Sequence, residues 1–347
     1  MSAEEESVAR LSARVGRLDR VLEQTLASPS PEAPASVAAG RVVVTGAGIA
    51  AGPARFLATY LRDAQGLVAR YCPPSAFATH RSPPIAETLV VFSERLSANA
   101  QLVLSRADRY EHVALFSATT PDPKGTEAER HVAAFVDAGG QLIRHGPDRE
   151  EGMLVRVLGP AASMMQAARW AMSVGTLDLD GALASIPGVV RTALQRAEQL
   201  VSDESLQLPL GGVAFLTVGG GGEVCRGLAW KWMEGLWTDE PAVWDVLQVG
   251  HGPLQTFWER EMTLIALCGT SEPAEALFDR LEGVLDDCRH RMIRLRAAAP
   301  GALAVFEHSA GLDRLMVAAL EAAPRDLSHW PGKGVDGPLF GLAEPID

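Results

Sequence analysis

Three side chains in the second half of the chain have types and spacings suited to proton transfer: Lys231, Glu234 and His251. Lys231 and Glu234 are three residues apart, which on a helix puts them about 60° apart around the axis and on one face. Trp230, Trp232, Trp237 and Trp244 crowd the same region. A carboxyl among indoles is poorly solvated, and its pKa rises toward the range where it works as a base near neutrality. The same spacing also describes a solvated surface pair, so it leaves both readings open. His251 lies in Gly250-His251-Gly252-Pro253, where the glycines leave the imidazole uncrowded and Pro253 suits the first turn of a helix.

The first half carries a candidate anion site. Thr45, Gly46, Ala47, Gly48 and Gly52 stand where a β-branched run gives way to an amphipathic stretch, so bare N–H groups can meet an anion at a helix start. Glycines that simply let the first turn pack tightly are the plainer reading. The turn also resembles that of short-chain dehydrogenases, whose chemistry needs a Tyr with a Lys four residues later. Tyr60, Tyr71 and Tyr110 are followed at that spacing by Ala64, Ser75 and Ala114, so no dinucleotide cofactor is expected.

The elements that must position these groups follow from pattern. Val8, Leu11, Val15, Leu18 and Leu22 form the stripe of an N-terminal amphipathic helix, and the proline-rich run from Ser28 to Ser36 ends it. Strands are predicted at Val42–Val44, Leu67–Tyr71, Thr88–Phe92, His112–Phe116, Gln141–His145 and Met153–Leu158, alternating with helices after Ser97 and over Glu127–Val136. A long helical region over Ala161–Val201 is expected to break near Asp178–Gly188. A second series opens at Gly211–Gly222 with a strand and glycine turn, then a helix over Val224–Trp237. Strands follow at Trp244–Gly250, Met262–Cys268, Met292–Arg296 and Leu303–Glu307. Two similar halves of this kind predict an α/β fold of two doubly wound parallel sheets.

The domains are expected at 1–37 (N-terminal helix and linker), 38–176, 177–207 (connecting helix) and 208–347. The chain has 347 residues, 47% of them hydrophobic, enough for a sizeable core. With 43 acidic against 31 basic side chains, its field repels phosphate backbones and anionic lipid, so neither nucleic acid nor a membrane is an expected partner. The acidic N-terminus lacks a signal-peptide pattern, which points to the cytoplasm. Cys72, Cys225, Cys268 and Cys288 are scattered, with no zinc spacing, and are expected to be buried thiols.

Four segments, in order, resemble the double-SIS (sugar isomerase) family, in particular the isomerase portion of glucosamine-6-phosphate synthase. Lys231-Trp232-Met233-Glu234 is similar to its Lys-x-x-Glu helix, His251-Gly252-Pro253-Leu254 to its His-Gly-Pro turn, and Lys333-Gly334-Val335-Asp336-Gly337-Pro338 to its C-terminal tail. Val43–Gly48 matches its first strand and turn, and Ser93-Glu94-Arg95-Leu96-Ser97-Ala98 falls at its phosphate loop.

The resemblance implies that Glu234 shuttles a proton between C1 and C2 of a sugar, that Lys231 orients that carboxylate, and that His251 assists ring opening from the neighbouring subunit of a homodimer. The ligand implied is a small anionic sugar-like metabolite held by Gly46, Gly48, Ser93, Arg95, Ser97 and Lys333, with no cofactor or metal. The phosphate loop departs from the family by lacking the glycine and the last threonine. Glu344 stands where the family has its Schiff-base lysine, so imine chemistry is not expected, and neither is glutamine hydrolysis. The alternatives are a non-catalytic sensor or accessory subunit, and a specialised enzyme on a non-sugar substrate.

Overall fold

The computed structural model describes residues 2–78, 88–146, 150, 152–174, 180–203, 212–269, 272–335 and 337–340. Two helices open the chain, α1 (Ala3–Val15) and α2 (Leu18–Ala27), where the sequence predicts one; they part at Gly16. A four-residue helix, α3 (Ser36–Ala39), precedes the first sheet.

That sheet and its helices run β1 (Arg41–Gly46), α4 (Ala51–Asp63), β2 (Val68–Tyr71), β3 (Thr88–Phe92), α5 (Ala98–Leu104), β4 (His112–Ser117), α6 (Glu127–Asp137) and β5 (Gln141–Arg144). Next come α7 (Leu158–Met172) and α8 (Asp180–Ser202). The second series is β6 (Gly212–Thr217), α9 (Gly222–Leu236), β7 (Ala242–Asp245), α10 (Pro253–Phe257), β8 (Met262–Cys268), α11 (Glu272–Glu282), β9 (His290–Arg296) and α12 (Val305–Ala322).

All pairings are parallel, in the orders β2-β1-β3-β4-β5 and β7-β6-β8-β9. The second order repeats the first four places of the first, as duplicated halves predict. Parallel strands covered on both faces must be apolar throughout, and β3 is buried along its whole length.

The described residues form two compact units that are not contiguous in sequence. One comprises Met1–Arg20, Gly152–Val157 and Gly181–Ser328; the other comprises Val21–Glu151, Leu158–Asp180 and His329–Asp347. Thus α1 belongs with the second sheet. Its stripe of Val8, Leu11 and Val15 is buried, and Ser7 Oγ donates to the Arg325 carbonyl (2.8 Å) while accepting from Leu327 N (3.1 Å). In the first-sheet unit Arg169 of α7 donates to the Thr25 and Ser28 carbonyls and so holds the end of α2.

Two predicted strands are not strands. Residues 303–307, a mostly apolar run that period alone cannot assign, enter α12, whose first seven residues are all buried, so the start of a buried helix mimics a buried strand. Met153–Val157 is irregular, and Leu158 already begins α7. Of the break expected at Asp178–Gly188, residues 180–188 are instead helical, Pro187 lying inside α8, and 178–179 fall outside the described residues. Cys288 is exposed, unlike the other three thiols. Among the described residues no helix is long and apolar enough to cross a membrane.

The turn after β1 is sterically demanding. A Cβ on Gly46 would lie 2.5 Å from the Ala50 carbonyl oxygen, and Gly48 adopts φ +56. Gly46→Ala is expected to destabilise by about 1–3 kcal/mol, the usual cost of overpacking, as a lowered midpoint in urea unfolding. An unchanged midpoint would mean that the turn has room to relax.

Candidate functional site

In the first-sheet unit the strand order reverses between β1 and β3, with Gly46 in register with Phe92. The segments leaving these strands, residues 47–50 and 93–97, therefore flank the crevice where open parallel sheets receive ligands. Gly46, Gly48, Ser93, Arg95 and Ser97 thus lie at or just beyond the carboxyl ends of two neighbouring strands.

Their polar atoms, however, hold the turn itself together. Ser93 Oγ accepts from Ser97 N (3.0 Å), and Ser97 Oγ accepts from Ala100 N (3.4 Å) as the N-cap of α5. Arg95 is exposed, and its Nη2 donates to the Glu150 carbonyl (2.8 Å). Leu96 adopts φ +50 while 97% buried, a left-handed angle that is costly for a residue other than glycine. Lys333 lies on an exposed turn with its ammonium over the Trp330 ring at 4.6 Å. Asp336 and Glu344 of the tail fall outside the described residues.

The second-sheet unit carries the proton-transfer candidates. Lys231 is buried, and its Nζ lies 2.6 Å from Ser309 Oγ and 2.6 and 2.8 Å from the two carboxylate oxygens of Asp313, both residues on α12. The ammonium thus ties α9 to α12, whereas the resemblance assigned it to Glu234. Sequence reading passed over Ser309 and Asp313, although two polar residues four apart fall on one face of a helix.

Glu234 is mostly buried in the last turn of α9, and loss of solvent pushes its carboxyl up to about 7 against the opposing pull of the Arg156 guanidinium. Arg156 lay hidden in a segment taken for a strand.

His251 is exposed, six residues beyond the end of β7 and not at a strand tip as predicted. Asp245 caps a 3-10 turn over Val246–Gln248, and the His251 N–H donates to the Gln248 carbonyl (2.9 Å). Gly252 has φ +127, and Pro253 starts α10 as predicted. Glu234 follows the start of α9 by twelve residues, roughly 18 Å at the α-helical rise, toward the amino ends of the strands. His251 lies past the carboxyl end of β7, so a single copy of the chain does not bring the two groups together.

No family model matches the sequence, and no curated protein does. Solved structures do match. The C-terminal domain of glucosamine-fructose-6-phosphate aminotransferase from Francisella tularensis superposes with a TM-score of 0.70 at 12% identity, over 89% of this chain and 94% of that one. Glucosamine-6-phosphate deaminase from Thermotoga maritima gives 0.67 at 14% identity, over 94% and 97%. Tagatose-6-phosphate ketose/aldose isomerase from Escherichia coli gives 0.64 at 11% identity, over 95% and 96%. The fold is the double-SIS fold: two parallel α/β sheets with helices at the N-terminus.

Proposed function

We propose that this chain is an enzyme of the sugar-isomerase type, which binds a phosphorylated or otherwise anionic sugar-like metabolite and isomerises or deaminates it by moving a proton between adjacent carbons. The observation that carries the reading is Glu234, a carboxyl held by burial at about 7 on the helix that resembles the family's Lys-x-x-Glu element. A base of that pKa takes a proton from carbon and returns it at neutral pH. The names of the solved proteins sharing the fold, an aminotransferase, a deaminase and an isomerase of phosphorylated sugars, support the class.

In this reading Lys231 positions α9 through Asp313 and Ser309, and Glu234 is the base. His251 is the acid or ring opener, contributed by a second copy, because one chain keeps the two groups apart. A homodimer in the cytoplasm is the setting this implies.

The test is proton exchange in D2O with fructose 6-phosphate, glucosamine 6-phosphate and their unphosphorylated parents, followed by proton NMR at C1 and C2. Loss of signal at either carbon is expected with at least one of them. A sugar that raises the melting temperature but never exchanges would make the protein a sensor instead.

His251→Ala should change stability by no more than about 0.5 kcal/mol, since the ring is exposed, while sharply lowering exchange. Mixing refolded His251→Ala and Glu234→Gln chains should restore part of the activity if the site is shared between copies. No recovery would place both groups in one chain.

A further inference from the structure

The second sheet stops one strand short of the first. β9 stands in the fourth place, as β4 does in the first sheet, but β4 carries β5 on its far side and β9 carries no further strand among the described residues. Beside β9 lies a cavity of about 450 Å³, within the range of small-molecule pockets. Three consecutive residues of β9 border it, Arg294, Leu295 and Arg296. Successive side chains of a strand point to opposite faces, so the cavity opens along the edge of the strand.

α8 and α12 make the other walls, and every wall belongs to the second-sheet unit. Ala193, Ala197 and Leu200 fall on one face of α8 and give it an apolar side. On α12, Gly311 lets the helix approach the strand: a Cβ there would stand 3.2 Å from Leu295 Cδ1.

Two polar groups of these walls are not used by the fold. Glu307, in the first turn of α12, is 98% buried; its Oε2 accepts from Ala298 N (2.8 Å) and Ala299 N (2.7 Å), while its buried Oε1 has no hydrogen-bond partner among the described residues. Buried polar atoms are nearly always paired, so an acceptor of this kind in a cavity wall is a place where an N–H donor is stabilised. Arg196 of α8 is exposed, and its guanidinium makes no hydrogen bond or ion pair among the described residues. The other basic groups are engaged: Arg294 pairs with Glu275, Asp279 and Glu282, and Arg296 with Glu275. Asp203, just past α8, adds an exposed acid to the wall.

We propose that this cavity is a second small-molecule site, which takes an amino acid or similar zwitterion: its ammonium donates to Glu307 Oε1, and its carboxylate pairs with Arg196. An anion without a donor would leave Glu307 unanswered, and a neutral sugar would leave Arg196 so. Neither Glu234 nor His251 borders the cavity, so the proposal does not depend on the sugar-isomerase reading.

The experiment is a calorimetric titration of the full-length protein with glycine, β-alanine, 4-aminobutyrate and 6-aminohexanoate, which differ in the span between their charges. Butyrate and butylamine are the single-charge controls. At least one of the four amino acids is expected to bind with a Kd of about 1 mM or tighter, and both controls at least about tenfold more weakly. Arg196→Ala should weaken that amino acid at least about tenfold and leave the urea midpoint unchanged, because the side chain is exposed and unpaired. Glu307→Gln keeps an acceptor for Ala298 and Ala299 but turns an amide N–H toward the ammonium, and should weaken binding by a similar factor.

Binding by none of the four would overturn the proposal. So would a control that binds as tightly as the best amino acid, or binding that Arg196→Ala or a folded Glu307→Gln leaves unweakened. The Arg196→Ala comparison stands even where Glu307→Gln fails to fold. Glu234→Gln should bind the amino acid as the wild type does; weaker binding there would merge the two sites and overturn their separation.

Discussion

Glu234→Gln is expected to lower proton exchange by about 10²–10⁴-fold, the usual contribution of a positioned general base, with little change in sugar affinity. In the wild type the rate should rise with pH to a plateau, with a midpoint close to 7, because only the ionised carboxylate accepts a proton and burial holds that ionisation at about 7. The variant should lose this limb.

Stability moves the other way. Above the ordinary value of 4.5 the unfolded chain has released the proton that the folded chain retains up to about 7. Stability therefore falls as pH rises across that window and levels off above it, by an amount on the order of 3 kcal/mol. Glutamine carries no charge to desolvate, so the variant should unfold at a higher urea concentration than the wild type at pH 8 and at a similar one at pH 5. Equal midpoints at pH 8 would show that the carboxyl is solvated and ionises normally, which removes the argument for it as the base.

Lys231→Met should be the most damaging single substitution in the second-sheet unit. It leaves Asp313, 99% buried, without the ammonium 2.6 Å away, and breaking a buried pair in this manner costs about 3–5 kcal/mol. Replacing both partners, Lys231→Met with Asp313→Leu, should recover most of that loss, since two apolar side chains carry no desolvation penalty. A double-mutant cycle from urea unfolding measures the coupling. If the double variant is less stable than Lys231→Met, the pair contributes through Ser309 or through packing, and the charge argument fails. Exchange in the folded double variant then shows whether α9 still presents Glu234 correctly: a fall in kcat with KM unchanged is the expected sign of a displaced base.

Much of the architecture could be read along the chain. Thr88–Phe92 and Met262–Cys268 are strands with the predicted bounds, because short β-branched runs ended by turn residues encode their own extent. Ser97 caps α5 and Pro253 opens α10, since caps and ring constraints act within a few residues. The strand and glycine turn recur in both halves, which made the duplication visible, and Gly48 and Gly219 each start a 3-10 turn at positive φ.

Other features were settled only by packing. The run from Leu303 to Glu307 has strand composition, yet it enters a helix whose first seven residues are all buried, and a start buried on every side shows no exposed polar face to reveal its period. Leu96 adopts a glycine's backbone angle because its side chain is 97% buried, among Val43, Phe77 and Leu89 of the first core, a gain that outweighs a cost of roughly 1–2 kcal/mol.

Residue types and spacing singled out Lys231, Glu234 and His251, and the family resemblance added the turn 93–97 as polar groups to watch. Which group answers Lys231 depended on a contact across 82 positions, to Asp313. A charge removed from water must take whatever partner the packed elements bring within about 3 Å, and that choice is made by tertiary structure.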